Sequence, residues 1–491
     1  MLILVVKKVS TKVNLIYQMS YQILLLALPF LTSPYISRVI GADGLGIYSY
    51  SHSVAKYFEI FALLGIANYG NRLIAQSRDD PKKLNTNFSN LLAVHIILSI
   101  IIIITYGLYI QIDSENAYYA KLQWPYIICL VFDISWFYFG IERFKITVTR
   151  SFIIKIVTVI LIFTLVKNRN DLWKYCLIMS TASLASTSSL WFSLRKLVKI
   201  VKPTFSEMKK HILPLLILFI PVIAASVTKY MDKVMIGIIS TKTELGYYEN
   251  AEKVSSMAVS VIGSFGTVLL PRMSYLFSNN DDIKAKEYIG STLELIMCVS
   301  IGICFGLVAI GKYFAVVFWG KAFEKSGLLI QGLAITVPFI AFANIMRTQY
   351  LIPKSRDKEF TISIAVGAVV NFFFNLLLIP SMESWGATLA TIFAEMVICI
   401  IQVLYVRKDL PILSYLKRVF PLLFCGIFMY LIITFVGINS YSWYGLIILV
   451  LIGMLIYGIL TIAYLLLIKN PIVVSLMVFA KKKFFKRNTR K

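Results

Sequence analysis

Runs of about 20 mainly apolar residues recur along nearly the whole chain, each long enough to cross roughly 30 Å of hydrocarbon as a helix. Lipid offers no hydrogen-bond partner to a backbone, so open sheets are excluded and the runs must be helices. With 58% of its 491 residues hydrophobic and a mean hydropathy of +0.79, the chain is too apolar for a water-facing surface. Hydropathy places about fourteen spans, near 15–37, 46–69, 88–110, 120–141, 151–166, 173–194, 212–239, 245–270, 291–318, 326–351, 360–380, 385–405, 418–437 and 443–468. The expected architecture is an all-α polytopic membrane protein. The start, Met1 to Lys12, carries an apolar stub and lysines without a small-residue cleavage site, so no removable signal peptide is expected.

A net charge of +25 would suggest nucleic acid as the partner of a soluble protein. Here the basic residues gather in alternate links, which is the pattern that sets membrane orientation, and no nucleic-acid partner is expected. An even number of spans puts both termini on one side. With that side cytoplasmic, the inner segments hold Lys7, Lys8 and Lys12, then Arg72, Arg78, Lys82 and Lys83, then Arg143, Lys145 and Arg150, then Arg195 to Lys210, and finally the Lys481–Lys491 tail. That tail reads as a solvated anchor, with binding to anionic headgroups as its alternative. The outer links are short, so function is expected inside the helical bundle. Six scattered cysteines read as inert buried thiols, and His52, His95 and His211 lack metal-ligand spacing. No serine elbow or phosphate-cradling loop is legible, so neither an enzyme nor a bound cofactor is expected.

An internal repeat organises the chain. Leu45-Gly46-Ile47-Tyr48 recurs as Leu245-Gly246-Tyr247-Tyr248, and Arg72 followed by Asp79-Asp80 recurs as Arg272 followed by Asp281-Asp282. A duplicated set of six helices follows, with residues 1–200 holding spans 1–6 and residues 201–410 holding spans 7–12. Residues 411–470 add spans 13 and 14, and 471–491 form the basic tail.

Ionisable groups at membrane depth cost about 2.5–3.5 kcal/mol each, so each needs a partner or a wet cavity. The basic ones are Lys56, Lys155, Lys229, Lys233, Lys253 and Arg347; the acidic ones are Glu59, Asp133, Asp232, Glu252, Glu294 and Glu395. Lys56 with Glu59 and Lys229 with Asp232 are i,i+3 pairs able to neutralise each other. Lys155 and Arg347 lack an acidic neighbour one turn away and point to a cavity holding an anion. Pro29, Pro34, Pro214, Pro221, Pro338 and Pro353 mark places where helices bend. The stripe Trp136-Phe137-Tyr138-Phe139 reads as an interfacial aromatic belt.

Three stretches carry a resemblance. The first is Pro34-Tyr35-Ile36-Ser37-Arg38-Val39-Ile40-Gly41 running into Gly44-Leu45-Gly46-Ile47-Tyr48-Ser49, then Gly65-Ile66-Ala67-Asn68-Tyr69-Gly70-Asn71-Arg72. The second is Trp136-Phe137-Tyr138-Phe139-Gly140-Ile141-Glu142-Arg143-Phe144-Lys145. The third is Gln349-Tyr350-Leu351-Ile352-Pro353-Lys354, with Gly367-Ala368-Val369-Val370-Asn371, Gly386-Ala387-Thr388 and Glu395. Together they resemble the Wzx-type polysaccharide flippases of the multidrug/oligosaccharidyl-lipid/polysaccharide exporter superfamily. The resemblance implies two pseudo-symmetric six-helix lobes around a central cavity plus two C-terminal helices, in a bacterial inner membrane. It implies as cargo a repeat unit on undecaprenyl diphosphate, moved to the outer leaflet by alternating access, with a polymerase and chain-length proteins as pathway partners.

In such families basic cavity residues meet the diphosphate. Arg38, Arg72 and Arg143 lie inside the matched motifs and Lys56 and Lys155 beside them; the charge pattern adds Lys229, Lys233, Arg272 and Arg347. Asp133, Asp232 and Glu395 are candidates for coupling to sodium or protons. The nearest rival cargo is lipid II or a teichoic-acid precursor. A drug/cation antiporter would share the fold but not the three motifs, and a membrane-embedded polymerase would need a larger external loop.

Overall fold

The computed structural model describes residues 11–113, 116–279, 281–437, 441–471 and 473. The residues before Thr11 and the basic tail from Lys481 lie outside the described residues. Among the described residues every regular element is helical, and the chain divides into two compact units, Met1–Gly246 and Tyr247–Lys491.

The first unit contains α1 (Thr11–Leu63), α2 (Ile66–Ser77), α3 (Pro81–Ile112), α4 (Ala117–Leu122), α5 (Trp124–Cys129), α6 (Ser135–Gly140), α7 (Phe144–Leu165), α8 (Leu172–Ser188), α9 (Trp191–Leu194) and α10 (Phe205–Ile239). α11 (Lys242–Ser278) starts at its end and belongs to the second unit from Tyr247. There follow α12 (Asp282–Trp319), α13 (Glu324–Ala334), α14 (Thr336–Met346), α15 (Asp357–Met382), α16 (Ser384–Val406), α17 (Ile412–Val436) and α18 (Trp443–Leu467). Nine described helical stretches are long and apolar enough to cross a membrane, against about fourteen expected spans. Part of the difference is physical: the fourth span is cut into α4, α5, a 3-10 turn and α6, and the sixth is divided between α8 and the short α9. The break in α1 falls at Gly41, whose φ of 81° favours glycine, while Pro29 and Pro34 stay inside helical backbone.

Side-chain distribution shows what solvates the helices. α3 buries Phe88, Leu91, His95, Ser99 and Tyr106 on one face while exposing Ile97, Ile100, Ile101, Ile104 and Leu108 on the other. α18 exposes Ile447, Ile448, Leu451, Leu455, Ile459 and Ile462. Continuous apolar stripes of this kind are stable against lipid and not against water. In lipid no hydrophobic force joins helices, so close packing of small and polar residues does. α15 accordingly buries Ser363, Gly367, Asn371 and Asn375 at four-residue spacing and exposes Val366, Val369, Phe373 and Leu377. Its Ser363 accepts from Gln402 Nε2 on α16 at 3.0 Å, and a Cβ on Gly386 would sit 2.5 Å from the Leu378 carbonyl.

The repeat-related glycines meet within the first unit. A Cβ on Gly46 would overlap the Lys242 carbonyl, and one on Gly246 would overlap the Ala42 carbonyl. Each carbonyl lies four residues before the opposite glycine, so the crossing is reciprocal. Asp80 and Asp281 also occupy like places: each caps the helix that follows, accepting from Lys82 and Lys83 in α3 and from Lys284 in α12. The aromatic stripe departs from expectation. Trp136, Phe137 and Tyr138 are buried, packed on Phe88 and, through the Tyr138 hydroxyl, donating to the Leu190 carbonyl at 2.6 Å; Phe139 alone is exposed. Gly70 admits the Trp136 ring by lacking a side chain, so the motif builds a core and not a belt.

Candidate substrate site

α14 ends in a single π-turn, Arg347–Leu351, in which Ile352 N–H donates to the Arg347 carbonyl at 2.9 Å. Pro353, which has no N–H, lies just beyond, and π-turns of this kind concentrate at functional sites. The turn carries Arg347, half-buried, with one guanidinium N–H donating to Asn344 Oδ1 at 3.1 Å and its plane 5.2 Å from the Phe360 ring centroid. Its Nε is buried without a hydrogen-bond partner, and among the described residues no carboxylate pairs with it. α11 comes close here because it has Gly266, where a Cβ would lie 3.1 Å from Asn344 and Thr348. Gln349, two residues on from Arg347, is fully buried with neither amide atom partnered among the described residues. A guanidinium with spare donors and no carboxylate partner among the described residues has the chemistry to hold an oxyanion with parallel N–H bonds. Sequence reasoning named Arg347 and missed Gln349, whose burial is a tertiary property.

A second basic group stands at the turn joining α6 to α7. Glu142 takes a left-handed φ of 58°, and Arg143 N–H donates back to the Tyr138 carbonyl at 2.9 Å. Glu142 pairs with Arg78 at 2.7 Å, leaving Arg143 with no carboxylate partner among the described residues and its Nε buried and unbonded. Lys155 is half-buried on α7 and also lacks an ion-pair partner among the described residues.

The other candidates sort differently. Lys56 pairs with Glu59 at 2.8 Å and lies 5.0 Å from the Tyr126 ring centroid, so its charge is met locally. Lys229 is exposed beside Tyr230, at 5.4 Å, and Tyr230 packs edge-on to Tyr57. Arg38 and Arg72 are exposed, Lys233 and Glu395 half-buried, and Asp232 buried. Arg272 is exposed and lies over Tyr288 at 4.7 Å. Asp133 sits in the gap between α5 and α6, where it accepts from Ser135 N–H at 2.9 Å and satisfies a donor at the start of α6. Facing the core from α3 is His95, fully buried with both ring nitrogens unpartnered; Ser99, one turn on, is likewise buried and unpartnered. His95 was set aside for lacking metal spacing, although a histidine inside an apolar run was the available signal.

This order of helices, with broken spans at the fourth and tenth positions, has counterparts among solved membrane proteins. The lipid II flippase MurJ in its inward closed conformation matches with a TM-score of 0.75, covering 92% of this chain and 99% of that one at 16% identity. An inward-facing MATE multidrug-resistance transporter matches with a TM-score of 0.57, covering 77% of this chain and 94% of that one at 12% identity. At these identities the likeness is one of fold.

The sequence then narrows the class: residues 12–277, more than half of the chain, match the family model of polysaccharide biosynthesis proteins, and the chain belongs to that family. A relative from Shigella dysenteriae named for O-antigen transport is 24% identical over 75% of this chain and 93% of its own length. One from Escherichia coli K12 with the same name is 21% identical over 82% and 98%. The family is named for polysaccharide biosynthesis and these relatives for transport, none of them for catalysis.

Proposed function

We propose that the chain is a flippase for lipid-linked glycan, and more narrowly that it carries oligosaccharide repeat units on undecaprenyl diphosphate across the bacterial inner membrane by alternating access. The observation that carries this reading is Arg347, a partly buried cation without a carboxylate partner among the described residues, held by Asn344 at a π-turn. A diphosphate supplies the missing anion. Passage of that group through bare hydrocarbon would be prohibitive, and fixed N–H donors along the way remove the barrier. Arg143 and Lys155 are the further groups proposed to meet it, with Arg38, Lys56, Arg72, Lys229 and Lys233 as weaker contributors. Coupling to sodium or protons is assigned to Asp133, Asp232 or Glu395. Both termini are placed in the cytoplasm by the lysine and arginine bias, and the product would pass to a polymerase and chain-length proteins.

The relatives favouring this cargo are the two named for O-antigen transport, each matched over more than nine-tenths of its length. The fold likeness to MurJ keeps a lipid II-type precursor as the second reading. The test is a proteoliposome assay with a fluorescent undecaprenyl-diphosphate tetrasaccharide and, in parallel, lipid II. The tetrasaccharide should move to the opposite leaflet in a protein-dependent way, and lipid II at least tenfold more slowly. Movement of neither, in vesicles holding folded protein, would sink the proposal.

A further inference from the structure

A cavity of about 450 Å³ opens in the second unit where α11 ends, α12 begins and the chain leaves α18, lined by Arg272, Lys284, Glu287, Tyr288, Ser291 and Pro471. Its walls are fixed by bonds behind them. Asn470, fully buried, donates through Nδ2 to the Ser291 carbonyl at 3.1 Å and to Glu294 Oε2 at 2.6 Å, and Arg418 pairs with Glu294 at 3.2 Å. These bonds hold Pro471 against α12. The charges lining the cavity divide unevenly. Lys284 is already paired with Asp281 at 2.8 Å. Arg272 is held over the Tyr288 ring at 4.7 Å, and it and Glu287 make no ion pair with each other or with any described residue. Arg272 and Glu287 thus line one cavity without meeting, and Lys284, bonded to Asp281, lies near enough to Glu287 for their charges to interact without an ion pair.

We propose that this cavity binds the headgroup of phosphatidylethanolamine as a resident lipid, the phosphate on Arg272 and the primary ammonium on Glu287. Two carbons separate phosphate from ammonium in that headgroup, so one ligand answers both unpaired charges. A simple anion would leave Glu287 facing it, and a quaternary ammonium would need an aromatic cage where the single tyrosine already carries Arg272. The depth suits a lipid and not a soluble phosphate. The apolar run of α12 begins near Ser291, which itself lines the cavity, and α18 ends at Leu467 shortly before Pro471, so the cavity lies at the end of the membrane-spanning stretches, at the level of lipid headgroups. The proposal does not depend on the cargo, since the ligand is the membrane's own lipid.

Native mass spectrometry of the full-length protein in detergent, titrated with phosphatidylethanolamine, phosphatidylglycerol or phosphatidylcholine, tests it. One phosphatidylethanolamine should bind at least tenfold more tightly than either other lipid. Arg272→Gln should weaken all three lipids at this site, whereas Glu287→Gln should abolish the preference for phosphatidylethanolamine over phosphatidylglycerol and leave binding itself. Both side chains are exposed, and unchanged thermal unfolding in lipid-free detergent confirms that the variants fold. Soluble O-phosphoethanolamine should displace the lipid only at a hundredfold or greater excess. Equal binding of the three lipids, unchanged selectivity in Glu287→Gln, displacement by the soluble compound at parity, or competition by undecaprenyl diphosphate would each overturn the assignment.

Discussion

The turn from α6 to α7 and the turn that precedes α15 are the same structure built twice, and they use their arginines in opposite ways. Glu142 and Ser355 take left-handed φ values of 58° and 56°, and the arginine after each donates five residues back, Arg143 to Tyr138 at 2.9 Å and Arg356 to Leu351 at 2.8 Å. Even the backbone angles agree, with φ −91° and ψ 52° at Arg143 and φ −93° and ψ 46° at Arg356. Yet Arg356 is tied to Glu359 at 2.8 Å, to Asp409 at 2.9 Å and to the Tyr405 carbonyl at 3.2 Å, while Arg143 has no carboxylate partner among the described residues. Three residues on from Arg356 stands Glu359; three residues on from Arg143 stands Ile146. The link after α16 holds Asp409, whereas the one after α9 holds Arg195 and Lys196. Identical backbone with different neighbours therefore separates an arginine tied to two carboxylates from one with no carboxylate partner among the described residues.

The sharpest way to test that separation is Arg347, the second cation without a carboxylate. Arg347→Met should lower flipping of the labelled tetrasaccharide by about a hundredfold, near 2.7 kcal/mol in the barrier. Thermal unfolding should stay level or rise, because an unpaired charge leaves the protein interior. A marked fall in melting temperature would assign Arg347 a structural role instead. Next in size, Arg143→Ala should reduce flipping by about tenfold with stability changed by less than about 0.5 kcal/mol, since no bond to a neighbour is lost.

Arg356→Ala should do the reverse. Its two half-exposed ion pairs and one carbonyl bond are worth about 1–2 kcal/mol together, so unfolding should come earlier while flipping per folded molecule is unchanged. Should the two turn variants behave alike, the contrast drawn from their partners fails. The smallest expected effect is that of Ser355→Gly, which removes the steric cost of a left-handed residue and should raise stability by about 0.5–1 kcal/mol in thermal unfolding.

Legibility followed the range of the interactions. α3, α7 and α15 to α18 were readable because an apolar run is a property of adjacent residues. The fourth span was harder: 120–141 reads as one run, but the backbone leaves the helix around Asp133, where the carboxylate caps Ser135 and the Trp191 indole donates to the Phe132 carbonyl at 2.9 Å. That second donor is far along the chain. The aromatic stripe failed for a similar reason, since only the packing of Phe88 and Gly70 turns Trp136 inward. The matched glycines at positions 46, 70 and 386 were visible as motif, and their use in helix packing was not.

By itself the amino-acid sequence determined the membrane setting and the helical class, because hydropathy and turn chemistry act over a few residues. Which cations remain without a counter-charge was decided only by the tertiary structure. Arg356 finds Asp409 across 53 positions, Arg78 takes Glu142 across 64, and among the described residues Arg347 meets an amide and an aromatic ring but no carboxylate. Compensation of charge in a low-dielectric interior depends on separations of a few ångströms in space, which distance along the chain does not encode.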